Sequence, residues 1–276
     1  MKIVFVGCVE IGYTVLESIY QQGWSVDLVI TLPVASSGKT SGFIDFHPLA
    51  EMYHSKVIES IDLKSTECRQ ELKQLEPDLL ICCGWQRLIP DEVLELPIKG
   101  CIGFHSSLLP KYRGRAPVNW AIILGEKETG VTLFYLNSMA DTGDIITQKS
   151  FPITLEDDCH TIYKKSANAC CQMLVNQLPL IEHNAVKRIH NPSASYPAYP
   201  KRTAEQGLID FQRPSLDVFN WIRALTKPYP GAFYYEDGKK IVVWNSKMGI
   251  VSGQNVIFKN TLDGVISLID VEIHNE

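Results

Sequence analysis

Lys2-Ile3-Val4-Phe5-Val6-Gly7 is an unbroken apolar run that stops at a glycine, and Ile11, Val15, Leu16 and Ile19 follow it at helical spacing. A short run that is apolar at nearly every position predicts a strand buried on both faces. Apolar residues three and four apart predict a helix with one buried stripe. The same grammar recurs downstream, with strands predicted at 26–30, 78–83 and 101–104 and helical patterns at 10–22, 65–75 and 115–124. Strands alternating with helices imply an α/β fold, a doubly wound and mostly parallel sheet of Rossmann-like kind. Gly7 and Gly12 do not form a dinucleotide motif, because Val9 stands where G-x-G-x-x-G requires its second glycine. Ser36-Ser37-Gly38-Lys39-Thr40 imitates the end of a phosphate loop, but Pro33 occupies the position of the first glycine. The segment 33–46 therefore reads either as a mobile cover over a cleft or as a plain surface loop.

Beyond a helical pattern at 158–178, the polar Pro/Ser/Tyr stretch 191–200 reads as a linker. A different grammar follows: one helix at 216–225, then short strands at 233–235, 240–244, 256–258 and 265–269 separated by glycine turns. The expected organisation is a catalytic domain at 1–190, a linker at 191–204 and a small C-terminal β-rich module at 205–276. With 276 residues, 45% of them hydrophobic, the chain can bury one full core and a small satellite. A net charge of −5 and basic runs no longer than pairs such as Lys164-Lys165 argue against a nucleic-acid partner. The eight cysteines include no C-x-x-C pair, so no metal site is expected, and they read as reduced thiols of a cytoplasmic protein. No stretch approaches the roughly 20 apolar residues that span a bilayer, and no membrane partner is expected. Ile266, Leu268 and Ile269 suggest an apolar sheet edge through which a homodimer could form.

Chemistry concentrates in Gly103-Phe104-His105-Ser106-Ser107-Leu108-Leu109-Pro110-Lys111-Tyr112-Arg113-Gly114 and in Asp141-Thr142-Gly143-Asp144-Ile145. His105 falls where a parallel strand stops, and in open α/β sheets ligand crevices form outside the carboxyl ends of strands. Asp141 follows a second apolar pattern at 131–136. If the two strand ends lie side by side, the carboxylate steers the imidazole and the imidazole moves protons. That is the inventory of acyl transfer without a covalent nucleophile.

The stretch from Ser107 to Gly114, extended through Arg115-Ala116-Pro117-Val118-Asn119-Trp120, resembles the signature of the folate-dependent formyltransferases. The resemblance continues through Thr129-Gly130-Val131-Thr132-Leu133, Asp141-Thr142-Gly143-Asp144 and Tyr229-Pro230-Gly231-Ala232-Phe233. It implies transfer of a formyl group from N10-formyltetrahydrofolate to an amine, with His105 and Asp141 as catalytic residues. The family pattern has an Asn where this chain has Gly103. The missing oxyanion donor is then to come from the imidazolium of His105, a backbone N–H of the 105–108 loop, Asn119 or a water. By the same resemblance Gln86, Arg87, Leu88 and Ile89, after Trp85, form one wall of the pterin site, and Asn137, Ser138, Met139, Ala140 and Asp141 form the other. Trp85 itself reads equally as a rim aromatic. The glycine variant and the tail of the 33–46 loop resemble sugar-modifying members, which implies a UDP- or dTDP-linked aminosugar as acceptor. A 4-amino-4,6-dideoxy sugar of a surface-glycan route, such as that to pseudaminic acid, is the expected compound. Ser106 and Ser107 are then expected at the sugar, and Lys111, Arg113 and Arg115 at its pyrophosphate. Methionyl-tRNA formyltransferase and a non-catalytic folate or sugar-nucleotide binding module are the alternatives.

Overall fold

The computed structural model describes residues 1–275. In chain order the elements are β1 (Ile3–Val6), α1 (Glu10–Gln21), β2 (Leu28–Thr31), α2 (His47–Met52), β3 (Lys56–Glu59), α3 (Thr66–Leu75), β4 (Leu79–Cys82) and α4 (Asp91–Leu94). There follow β5 (Cys101–His105), α5 (Pro117–Ile123), β6 (Glu128–Tyr135), β7 (Ile145–Pro152), α6 (Cys159–Glu182) and α7 (Ser215–Leu225). The chain finishes with β8 (Ala232–Glu236), β9 (Lys239–Met248), β10 (Ile257–Asn260) and β11 (Val265–Asn275). Two compact units result, one from Met1–Arg113, Gly130–Ser150 and Lys164–Pro197, the other from Gly114–Thr129, Phe151–Tyr163 and the chain from Ala198 onward.

The large sheet has seven strands in the order β3-β2-β1-β4-β5-β6-β7. β1 to β5 pair in parallel and β6 runs antiparallel to β5, so the α/β, mostly parallel expectation holds. Alternate strand residues Val4, Val6, Leu28, Ile30 and Leu80 pack with Cys68, Leu72 and Val93 in one core cluster. Ile3 and Phe5, directed to the other face by the two-residue period, are equally without solvent access. Burial on both faces explains why these strands read as continuous apolar runs rather than alternating ones.

Gly7 and Gly12 serve packing. A Cβ on Gly12 would lie 2.3 Å from the Cys83 carbonyl oxygen, so the start of α1 can sit against the end of β4 only without side chains. The 33–46 segment is folded down rather than loose. It contains a 3₁₀ turn at Val34–Lys39, a bridge joins Phe43 to Val9, and Glu10 N–H donates to the Gly42 carbonyl at 3.0 Å.

In the second unit, β10-β11-β9-β8 form an antiparallel sheet on which α7 packs, and α5 packs on α7. Arg202 is stacked between Trp120 and Trp221, 5.0 and 4.5 Å from the ring centroids. The proposed dimer edge is not an edge. β11 is flanked on both sides over Val265–Leu268, where Ile266 and Leu268 are fully buried, and Ile269 beyond it is half-buried. No described helix is long and apolar enough to cross a membrane.

Candidate active site

β5 delivers His105 to the carboxyl edge of the sheet, and the following loop is stapled back onto the strands. Ser107 N–H donates to the His105 carbonyl (2.8 Å), Ser107 Oγ to the Lys111 carbonyl (2.6 Å) and Thr132 Oγ1 to the Ser107 carbonyl (2.7 Å). Gln148 Nε2 adds donations to the Leu109 carbonyl and to Thr132 Oγ1, both at 2.8 Å. His105 is 8% exposed. Its Nε2 donates to the Tyr112 carbonyl at 2.9 Å, and its Nδ1 lies 3.5 Å from Asp141 Oδ1. Each ring nitrogen thus faces an acceptor, so a doubly protonated ring has a partner for both N–H groups.

Asp141 does not arrive from a neighbouring strand end. In the antiparallel register His105 stands opposite Thr132 while Tyr135, the last residue of β6, stands opposite Ile102. The strand therefore ends three residues back from the histidine, and the loop 136–143 returns the carboxylate to it. Asp141 adopts a left-handed backbone (φ 61°). Gly143 has no room for a side chain, since a Cβ would fall 1.8 Å from the Tyr135 carbonyl oxygen.

The other expected site residues divide. Arg113, expected at a pyrophosphate, donates from Nε to the Ala140 carbonyl (3.1 Å) and from Nη1 to the carbonyls of Ser193 (3.2 Å) and Tyr196 (3.0 Å). Ser107, expected at a sugar, has no solvent access. Ser106 is half-buried and Lys111 is exposed. Arg115 belongs to the second unit, where its N–H donates to the Tyr199 carbonyl at 2.9 Å. Gln86, Arg87 and Leu88 are exposed after β4, Ile89 is half-buried, and Asn137, Ser138, Met139 and Ala140 are exposed on the returning loop. A cavity of about 460 Å³ is lined by Lys64, Leu88, Ile89, Pro90, Asp91, Glu92 and Ser138, so residues of both expected walls border it. Gln86, Arg87, Asn137, Met139 and Ala140 do not border it. Asn137 instead braces its own loop, its Oδ1 accepting from Met139 N–H (3.2 Å) and the Thr142 hydroxyl (3.0 Å). Trp85 packs against the sheet core with its indole N–H buried and unpaired.

Gly103 has a local explanation that sequence could not supply. A Cβ there would lie 2.7 Å from Leu136 Cδ2 and 3.3 Å from its Cγ, so Leu136 fills the space an asparagine would enter. Asn119, one candidate for the missing donor, is buried in the second unit with its Nδ2 donating to the Ala224 carbonyl at 2.6 Å. Asn191 was missed. It lies in the stretch read as a linker, is 3% exposed, and donates to the Asp141 and Gly143 carbonyls. Its only sequence signal was an Asn-Pro step, which marks turns generally.

Cysteine chemistry is absent from this picture. Burial pushes the Cys8 thiol up to about 11 and those of Cys101 and Cys159 up to about 12, so these three are protonated and inert near neutrality. Among the described residues no group of three or more acidic, histidine or cysteine side chains could hold a metal ion.

Fold and site together define a class: a doubly wound α/β protein with a buried imidazole beside a carboxylate at the strand ends. Residues 1–178 match the formyl transferase family model, and residues 201–266 match that of the formyl transferase C-terminal domain. The chain belongs to the formyl transferase family and is an N-formyltransferase. It is 36% identical over 254 residues to methionyl-tRNA formyltransferase of Caldanaerobacter subterraneus, covering 90% of this chain and 81% of the relative. The enzyme of the same name from Pelotomaculum thermopropionicum is 33% identical over 289 residues, covering 99% of this chain and 91% of its own length. The N-formyltransferase of Helicobacter canadensis, solved with folinic acid and dTDP-3-aminofucose, superposes with a TM-score of 0.74 at 22% identity. That match covers 97% of this chain and 98% of the other and speaks to the fold alone.

The sequence relatives overturn the expected aminosugar acceptor, since proteins similar over nine-tenths of the chain or more are named for methionyl-tRNA. The pseudaminic acid route loses its support with it. The error has a physical origin. Ser107 and Arg113 of the loop hold the loop and the turn of Asp141, so these two residues carry no information about what the formyl group is passed to. Nor does a net charge of −5 describe any one face of the molecule.

Proposed function

We propose that this chain formylates the amino group of methionyl-tRNA, with N10-formyltetrahydrofolate as the donor. The observation that carries the reading is the pair His105 and Asp141, 3.5 Å apart and nearly buried, in a chain similar from end to end to methionyl-tRNA formyltransferases. The amine nitrogen attacks the formyl carbon and the carbonyl π bond opens to an oxyanion. The amine proton passes to the His105 imidazole. The resulting imidazolium is held between the Tyr112 carbonyl and the Asp141 carboxylate, and it returns the proton to the donor nitrogen as the carbon–nitrogen bond to the folate breaks. Formylated amine and tetrahydrofolate leave, and every proton is accounted for.

The cavity bordered by Leu88, Ile89, Pro90 and Ser138 suits the folate. Leu88, Ile89 and Pro90 offer apolar contact beside the charged Lys64, Asp91 and Glu92, a mix of apolar lining and a few polar groups of the kind ligand sites use. Gln86, Arg87, Asn137, Met139 and Ala140 are proposed to contribute around it, and Lys111 and Ser106 to face the acceptor. Arg113 acts on the loop instead.

The test is formyl transfer to methionyl-tRNA, followed as formylmethionine released on deacylation, across a salt series. Transfer is expected, with kcat/KM falling steeply as salt rises because phosphate contacts release counterions. His105→Ala should lose on the order of 10²–10⁴ in kcat. Formylation of small amines with none of methionyl-tRNA would defeat the acceptor assignment, and an undiminished His105→Ala would defeat the proton relay.

A further inference from the structure

Asn191 commits both donors of its side-chain amide to the turn that carries Asp141. Its Nδ2 donates to the carbonyls of Asp141 (3.1 Å) and Gly143 (2.9 Å), and its Oδ1 accepts from Ser193 N–H at 3.0 Å. The two carbonyls bracket Thr142. One NH₂ group carries two donors, so a single buried side chain satisfies both. Asp141 itself stands at φ 61°, a left-handed conformation uncommon for residues with a Cβ and best tolerated by Asn and Asp. From the other side Arg113 ties Ala140 to Ser193 and Tyr196, so that 140–143 and 191–196 are laced by two side chains.

We propose that Asn191 is a positioning residue that sets the Asp141 carboxylate at its 3.5 Å distance from His105 Nδ1, with Arg113 as a second strut. The segment read as a linker is thereby part of the site. The inference rests on His105 and Asp141 being the catalytic pair.

Four proteins test it: wild type, Asn191→Asp, Asp141→Asn and the double variant, assayed with methionyl-tRNA and N10-formyltetrahydrofolate. Asn191→Asp is close to isosteric and keeps the acceptor for Ser193 while removing both donations to the turn. Its kcat is expected to fall about 10- to 100-fold, the scale of a misplaced catalytic group, with KM for either substrate moving less than about threefold. In the Asp141→Asn background the same change should cost less than about threefold, because the effect runs through the carboxylate. A merely structural role would instead multiply the two losses. Should Asn191→Asp not fold, Asn191→Ser retains one donor and should give an intermediate kcat in the same cycle. Multiplied losses, or an Asn191→Asp as fast as wild type beside a slow Asp141→Asn, overturn the positioning role alone. An Asp141→Asn as fast as wild type sinks the catalytic pair and this inference together.

Discussion

Gly103→Asn probes how this chain manages without the side-chain donor its relatives' pattern carries. Gly103 and His105 are two residues apart on β5 and so project from the same face of the sheet. Gly103 does not need a positive φ, so the backbone accepts an L side chain there. The obstacle is Leu136, whose Cδ2 would sit 2.7 Å from the new Cβ, against 3.4 Å for the Cys82 carbonyl oxygen. One flexible branch must give way, an overpacking cost of about 1–3 kcal/mol. The amide would otherwise supply an oxyanion donor worth roughly 2.7–4 kcal/mol, or about 100- to 1,000-fold in kcat. Gly103→Asn alone is therefore expected to be less stable than wild type and no faster, since Leu136 bars the productive rotamer. Leu136→Ala opens the space, and in Gly103→Asn/Leu136→Ala stability should partly recover while kcat rises at least about tenfold over Leu136→Ala. Urea unfolding and single-turnover formyl transfer on the four proteins measure both quantities. A Gly103→Asn as stable as wild type would refute the steric account, and a double variant no faster than Leu136→Ala would show that the oxyanion is already fully served.

Two further outcomes follow from packing and burial. Gly12→Ala should destabilise the first unit by about 1–3 kcal/mol despite alanine's better helix propensity, because its Cβ meets the Cys83 backbone at 2.3 Å; an unchanged urea midpoint would contradict it. At alkaline pH, burial holds Cys101, Cys159 and Tyr163 at about 12, above their ordinary values of 9 and 10. The unfolded chain then releases protons that the folded chain keeps. Stability is therefore full below about pH 9 and falls as pH rises toward 12, by up to roughly 1.4 kcal/mol per pH unit for each group. Urea midpoints between pH 8 and 11 check this, and a flat profile would refute it.

Much of the large sheet was legible because its strands are buried on both faces and announce themselves as apolar runs. β3, with Lys56 and Glu59 at its ends, and β7, whose Gln148, Lys149 and Ser150 break any alternation, lie at the two borders of the sheet and carried no such mark. His105 and Asp141 were legible as residues, but the means of joining them was not. An antiparallel neighbour with a returning loop replaces two adjoining strand ends, and periodicity does not report direction. Leu136 over Gly103 and Asn191 under Asp141 are contacts between distant parts of the chain, which no local pattern encodes. Arg113 shows the converse, a cation whose type suggested a ligand and which donates to three backbone carbonyls.

The ladder between β5 and β6 has a consequence for how activity is acquired. Four pairs, from Ile102 with Tyr135 to His105 with Thr132, set the phase of β6 against the strand that bears the imidazole. Slippage of β6 by a single position would turn Thr132, whose hydroxyl holds the Ser107 carbonyl, to the far side of the sheet and shift the start of the loop that carries Asp141. Alignment of this one antiparallel seam thus brings the carboxylate to an imidazole whose own strand is placed by its parallel pairing with β4.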